Sequence, residues 1–162
     1  MNHIRRGCIF LFFLALFSVP IFASEKHPTL LVTTVDGSSF DLSKQAGNWV
    51  IVNFWATWCA PCLKEIPDIS QFISKHKDVK AIGLAYEEID LADLQSFLKE
   101  HPAGYPVALV DVYDPPKDFD TPRGLPTTYL IAPDGNISKK FLGPVNSKDL
   151  ETAINESKKI TP

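Results

Sequence analysis

Val50-Ile51-Val52-Asn53-Phe54-Trp55 leads through Ala56-Thr57 into Trp58-Cys59-Ala60-Pro61-Cys62, and the reading of this junction decides the fold. The first stretch, extended back to Trp49, is nearly continuous apolar sequence of the kind that forms a strand buried on both faces. From about Ala60 to His76, Ile66, Ile69, Phe72 and Ile73 recur at spacings of three, four and seven, the stripe of an amphipathic helix. Two cysteines separated by two residues therefore sit where a buried strand hands over to a helix. Pro67 falls inside that helix and removes one main-chain donor to Leu63, so a kink is expected there.

On the N-terminal side, Leu30–Val35 reads as a strand and Asp36-Gly37 as a turn before Ser38–Asp41, which together make a hairpin. On the C-terminal side, Val79–Ala85 reads as a strand. Asp90–Glu100 reads as a helix with Leu91, Leu94, Phe97 and Leu98 inward, ended by Pro102 and Gly104. Val107–Val110 is a short strand, and Asp111–Gly124 is a connection rich in proline and aspartate. Thr127–Ala132 and Ile137–Leu142 flank the turn Pro133-Asp134-Gly135-Asn136, and Ser147–Asn155 makes a last helix capped by Ser147 or Asn146. The alternation of strand and helix followed by a hairpin and a helix predicts an α/β domain, a mixed sheet with helices on both faces.

The chain has 162 residues, of which 45% are hydrophobic and 22% charged, enough for one core and short for two. Its formal net charge of −3 offers no electrostatic ground for a nucleic-acid partner. Arg5 and Arg6, the apolar run Gly7–Phe17 and the small residues Ser18 and Ala23 follow the order of an export signal. Cleavage after Ala23 would leave one domain over residues 24–162 and a net charge of −5, since only Arg5 and Arg6 are lost. The alternative is an uncleaved anchor, although Gly7–Ala23 is short against the roughly 20 residues that span a bilayer. Either way the domain is expected outside the cytoplasm, in the periplasm.

Cys8 lies within that leader, so the exported domain keeps only Cys59 and Cys62. A disulfide closing so small a loop removes little entropy from the unfolded chain and is a poor staple. The pair is instead suited to cycling between dithiol and disulfide, with one thiolate attacking and a second resolving the mixed disulfide. At the N-terminus of the helix, unpaired amides and the helix dipole lower the pKa of Cys59. Cys62 lies one turn deeper, so Cys59 is expected to attack and Cys62 to resolve. Pro61 is tolerated because first-turn amides have no partner within the helix. Glu65, three residues further on, lies on nearly the same face as Cys62. It is either a solvated helix residue or a buried carboxylate of raised pKa that exchanges a proton with Cys62. Pro126, at the start of a strand, reads from sequence alone as a strand-opening proline.

The stretch Val52–Pro67 resembles the exported thioredoxin-like proteins of the TlpA/ResA/DsbE group. A second block, Arg123-Gly124-Leu125-Pro126-Thr127-Thr128-Tyr129-Leu130-Ile131-Ala132-Pro133-Asp134-Gly135, is similar to that group's cis-proline segment. The resemblance implies a thioredoxin-like three-layer fold with an N-terminal β-hairpin and a helical insertion at Asp90–Glu100. It implies the roles of redox pair for Cys59 and Cys62, active-site glutamate for Glu65 and cis-proline for Pro126. With Leu125 beside it and Trp58 next to Cys59, Pro126 would border an incoming substrate chain. The implied activity is thiol–disulfide exchange, most naturally the reduction of protein disulfides, as in cytochrome c maturation, by a monomer recharged from a membrane redox partner. No cofactor or metal is implied. Asn53 stands where thioredoxin has a buried acid, which leaves Glu65 as the available proton partner.

A DsbA-like oxidant with the same site is the rival within this chemistry. A copper-carrying chaperone is a rival outside it, although His27, His76 and His101 show no ligand-like pairing and no second CxxC exists for structural zinc. A peroxidase of the same fold would embed its cysteine differently. Asp111, Asp114, Asp118 and Asp120 lack the glycine and terminal glutamate of a calcium loop and read as a solvated connection.

Overall fold

The computed structural model of the protein describes residues 27–160. The proposed leader, residues 1–23, lies outside them. The elements are β1 (Leu31–Thr33), β2 (Ser39–Asp41), a 3₁₀ turn (Leu42–Gln45), β3 (Trp49–Trp55), α1 (Ala60–Lys75) and β4 (Val79–Tyr86). They continue with α2 (Leu91–Glu100), β5 (Val107–Val110), β6 (Thr127–Ile131), β7 (Ile137–Leu142) and α3 (Ser147–Ile160). β1 and β2 form the N-terminal hairpin, and the remaining strands form a mixed sheet in the order β5-β4-β3-β6-β7.

β3 sits at the centre and every residue of it is buried, as its apolar run predicts. It runs parallel to β4, with Trp55 opposite Ala85, and antiparallel to β6, with Asn53 opposite Thr128. The strand thus ends beside the tip of β4 and the start of β6, and that shared edge is where the two cysteines emerge.

Alternate residues of the sheet feed two cores. Ile51, Trp55, Ala81, Ala85 and Leu130 pack with Ile66, Ile69 and Phe72 of α1, Leu94 of α2, and Leu150, Ala153 and Ile154 of α3. Val50, Val52, Phe54, Ile82, Leu84 and Tyr129 pack instead with Leu30 and Phe40 of the hairpin segment, Leu42 and Phe119. Each fully buried side chain of this size contributes about 1.5–3 kcal/mol relative to exposure. The three layers, the hairpin and the helix inserted after β4 are as expected, but the placement of helices on both faces is corrected. All three α-helices serve one face, while the hairpin, the 3₁₀ turn and the Phe119 loop cover the other. For α1 and α2 the reason is topological: β3-α1-β4 and β4-α2-β5 are parallel crossovers that step in the same direction, and right-handed connections then place both helices on one side.

Smaller differences have local causes. Leu91 is exposed rather than inward, because α2 begins there and its buried stripe is carried by Leu94, with Phe97 and Leu98 half-buried. α3 runs past Asn155 to Ile160, and Asn146 is its cap, its Oδ1 accepting from Lys148 N at 2.9 Å and Asp149 N at 3.2 Å. α1 continues through Pro67. One turn on, Ser70 Oγ donates to Ile66 O at 2.7 Å and accepts from Gly104 N at 2.9 Å, tying the loop before β5 to the helix. Asp111–Gly124 contains no helix or strand. Its aspartates serve the fold: Asp118 accepts from Thr29 N and Oγ1, and Asp120 pairs with Lys140 at 2.8 Å.

Gly83 of β4 is closely packed by side chains from the neighbouring strands and the loop before β5. A Cβ there would lie 3.0 Å from Trp55 Nε1, 3.1 Å from the Tyr105 ring and 3.3 Å from Val107 Cγ2. Gly83→Val is expected to overpack this spot and lower the unfolding free energy by about 2–3 kcal/mol. Urea denaturation checks this through a lower midpoint with an unchanged slope.

Candidate active site

Ala56–Cys59 forms a turn closed by a hydrogen bond from Cys59 N to Ala56 O at 3.2 Å, and it carries the chain from β3 into α1. Cys59 is the N-cap of α1, in extended conformation, and its Sγ accepts from Cys62 N at 3.3 Å. Cysteine here takes the place of the usual capping oxygen, and an anion at this sulfur is favoured by the N–H and by the helix dipole. Pro61, in the first turn, costs no intrahelical hydrogen bond.

Cys59 and Cys62 are joined in a disulfide, with Cα atoms 5.3 Å apart. Both are buried, but unequally: Cys59 retains 4% of its exposure and Cys62 none. Beside them Trp58, at the corner of the turn, is 69% exposed. Cys62, the expected resolving thiol, is the more enclosed of the two.

Glu65 is buried, only 2% exposed, and not a solvated helix residue. Its Oε1 accepts from Asn53 Nδ2 at 2.7 Å, and its Oε2 accepts from Val145 N at 2.8 Å, just before α3. Asn53 Nδ2 also donates to Thr128 Oγ1 at 2.9 Å, so the carboxyl is held by β3, β6 and the approach to α3 together. Burial pushes its pKa up to about 7, against the opposing pull of the Val145 and Asn53 hydrogen bonds and with a small further push from Asp68. Burial, and secondarily the Glu65 charge, raise the Tyr105 phenol well above its ordinary value and keep it protonated. Asn53 Oδ1, Trp55 Nε1 and Tyr105 Oη are buried without a hydrogen-bond partner among the described residues.

The Leu125–Pro126 peptide bond is cis, as the resemblance implies. Pro126 is buried one residue before Thr127, which pairs with Phe54, so it stands at the C-terminal end of β3. Leu125 and Trp58 line one open cleft together with Tyr86, Glu87, Glu88 and Arg123. Each expected site residue thus gathers at the edge where β3 ends. Sequence reading missed the partners that fix them: Thr128 and Val145 N around Glu65, and Glu87, whose carboxylate accepts from Thr57. Among the described residues no group of three or more His, Cys, Asp or Glu side chains is placed to hold a metal ion.

A layered α/β fold with a Cys-x-x-Cys disulfide capping the helix after the central strand defines a thiol–disulfide oxidoreductase. The Redoxin family model matches residues 19–154, and the chain belongs to that family. Among its relatives, the thiol-disulfide oxidoreductase ResA of Bacillus thuringiensis subsp. konkukian is 34% identical over 140 residues, covering 85% of this chain and 78% of that protein. The sporulation thiol-disulfide oxidoreductase A of Bacillus subtilis is 26% identical over 137 residues, covering 80% and 82%. A solved thiol:disulfide interchange protein of the thioredoxin family from Chlorobium tepidum TLS superposes with a TM-score of 0.67 at 28% identity, covering 80% of this chain and 93% of that one.

Proposed function

We propose that the protein reduces protein disulfides in the cell envelope. Cys59 is the attacking thiol, Cys62 the resolving thiol and Glu65 the proton partner of Cys62. The observation that carries this reading is the buried Glu65 carboxyl, locked by Asn53 and Val145 N one turn below a fully buried Cys62.

In the reduced protein the Cys59 thiolate attacks one sulfur of a substrate disulfide. A mixed disulfide forms, the substrate S–S bond breaks, and the departing substrate thiolate takes a proton from water. Cys62 then passes its proton to the Glu65 carboxylate, and its thiolate attacks the Cys59 sulfur. The Cys59–Cys62 disulfide forms and the second substrate thiolate leaves, so two electrons have moved from the dithiol to the substrate. A carboxyl with pKa near 7 suits this transfer, because it is available in both protonation states at neutral pH. Trp58, Leu125 and Pro126 border the substrate chain.

A dithiol partner in the membrane returns the electrons, and the disulfide of an oxidised apocytochrome in cytochrome c maturation is one substrate class. These assignments rest on the resemblance set out above and on the signal-like residues 1–23. No helix among the described residues is long and apolar enough to cross a membrane.

The reduction potential tests the direction. Equilibration with dithiothreitol and glutathione buffers is expected to give a value toward that of thioredoxin, about −270 mV. A value near that of DsbA, about −120 mV, would reverse the reading in favour of the oxidising alternative. Stoichiometric copper or zinc on the reduced, purified protein would favour metal carriage instead.

A further inference from the structure

Glu87 is a buried carboxylate, 9% exposed, that the chemistry above does not use. It lies just past the end of β4, and its position follows from the sheet register. Trp55 is opposite Ala85 in the parallel β3–β4 pair, so two residues further on Thr57 comes level with Glu87. There the strands have ended and no main-chain partner remains for Thr57. The Glu87 side chain takes over that position. Its Oε1 accepts from Thr57 N at 2.6 Å and its Oε2 accepts from Thr57 Oγ1 at 2.9 Å. Charge-assisted bonds of this length are about twice as strong as neutral ones.

Thr57 and Trp58 are the two central residues of the turn that Cys59 N closes onto Ala56 O. Holding Thr57 by both its amide and its hydroxyl fixes the plane of that turn. The turn in turn sets the direction of the exposed Trp58 and the position of Cys59 as helix cap.

We propose that Glu87 is a positioning residue for the dithiol, a carboxylate clamp on Thr57 that holds Trp58 and Cys59 in the pose a substrate chain meets. The inference rests on the proposed attack by Cys59. The clamp also fastens a carboxylate to Thr57, two residues before Cys59, in the cleft that Glu87 shares with the exposed Glu88 and Arg123. An anion in this position opposes thiolate formation. Geometry and charge therefore act on Cys59 in opposite directions, which makes them separable.

The test compares the reduced wild type with Glu87→Gln and Thr57→Val. Glu87→Gln keeps the size but removes the charge and one of the two acceptors, whereas Thr57→Val removes only the hydroxyl donor and leaves the anion. Two rates are measured at pH 7: single-turnover reduction of a peptide with one intramolecular disulfide, and alkylation of Cys59 by iodoacetamide, read by mass spectrometry across pH. For Glu87→Gln, peptide reduction is expected to fall about tenfold, within the range a small misplacement produces. Alkylation at pH 7 is expected to be unchanged or faster. For Thr57→Val, peptide reduction is expected to fall about threefold with the alkylation profile unmoved.

Peptide reduction by Glu87→Gln within twofold of wild type would overturn the proposal. So would a fall that alkylation shares in proportion, together with a lowered melting temperature, since that is what a merely structural role would give. If the wild type itself fails to reduce the peptide, the reductant reading falls. The clamp is then judged on the reverse reaction, oxidation of a dithiol peptide by the disulfide form, where the same tenfold deficit is expected.

Discussion

Cys62→Ser protein is expected to accumulate covalent complexes with its substrates and to lose turnover by about a thousandfold or more. The structure gives each sulfur a different access. Cys59 caps α1 at the surface edge, with Cys62 N directed at its Sγ, and Cys62 is fully buried beneath it. In the proposed division of labour a substrate disulfide meets the first. Serine at position 62 leaves that attack intact, but its hydroxyl does not form an attacking anion near neutral pH, so the mixed disulfide persists. Non-reducing electrophoresis of envelope extracts should show complexes with Cys62→Ser that dissolve on adding dithiothreitol, and none with Cys59→Ser. Complexes formed by Cys59→Ser and not by Cys62→Ser would reverse the division of labour between the two sulfurs.

Much of this arrangement was legible in the chain because the signals are local. A seven-residue apolar strand, a turn, and a helix whose stripe begins at Cys62 are set by neighbours along the sequence. The same local logic placed Cys59 at a helix end. The layering was less legible. Whether helices lie on one face or both depends on which strand adds next to β3 and in which direction, and single-strand patterns do not carry that information. Leu91 shows the smaller version of the same limit: its spacing fits the α2 stripe, but at the first helical residue it lies beyond the edge of the core it would join.

The site divides in the same way. Cys59, Cys62 and Glu65 share one helix, so their relative placement follows from helical geometry. Burial of Glu65 does not, because it depends on Val145 and Thr128, which lie 80 residues beyond Glu65 and 75 beyond Asn53, respectively. Glu87 was illegible for a related reason. Its partner Thr57 is 30 residues away, and only the parallel register of β3 and β4 brings them level.

Glu65→Gln is expected to change both stability and reactivity with pH, and the signs follow from the raised pKa. The carboxyl titrates at about 7 in the folded protein against 4.5 for an ordinary glutamate. Below about pH 4.5 both folded and unfolded chains hold the proton, and the native state suffers no penalty. Between 4.5 and 7 the unfolded chain releases its proton first, so native stability falls as pH rises, and above 7 the full penalty stands. The penalty is about 3 kcal/mol at a conversion of 1.36 kcal/mol per unit. Glu65→Gln should remove it, so the variant gains on the wild type between pH 4 and pH 8 in urea titrations.

The neighbouring amide allows the substitution. Asn53 offers Nδ2 to the carboxylate while its Oδ1 is without a partner among the described residues. Turned over, it presents that oxygen to the NH₂ of the introduced glutamine or, in the wild type, to the protonated acid, and Thr128 Oγ1 can donate to it in either case. Reactivity should move the opposite way from stability. In the wild type, resolution by Cys62 accelerates as Glu65 ionises near pH 7; without an acceptor for the Cys62 proton, that limb of the profile disappears and the step slows by about 100-fold. Stopped-flow measurement of mixed-disulfide decay across pH 5–9 reads this directly. A decay profile that keeps its inflection near pH 7 in Glu65→Gln would show that the Cys62 proton leaves by another path, even if the stability gain is found.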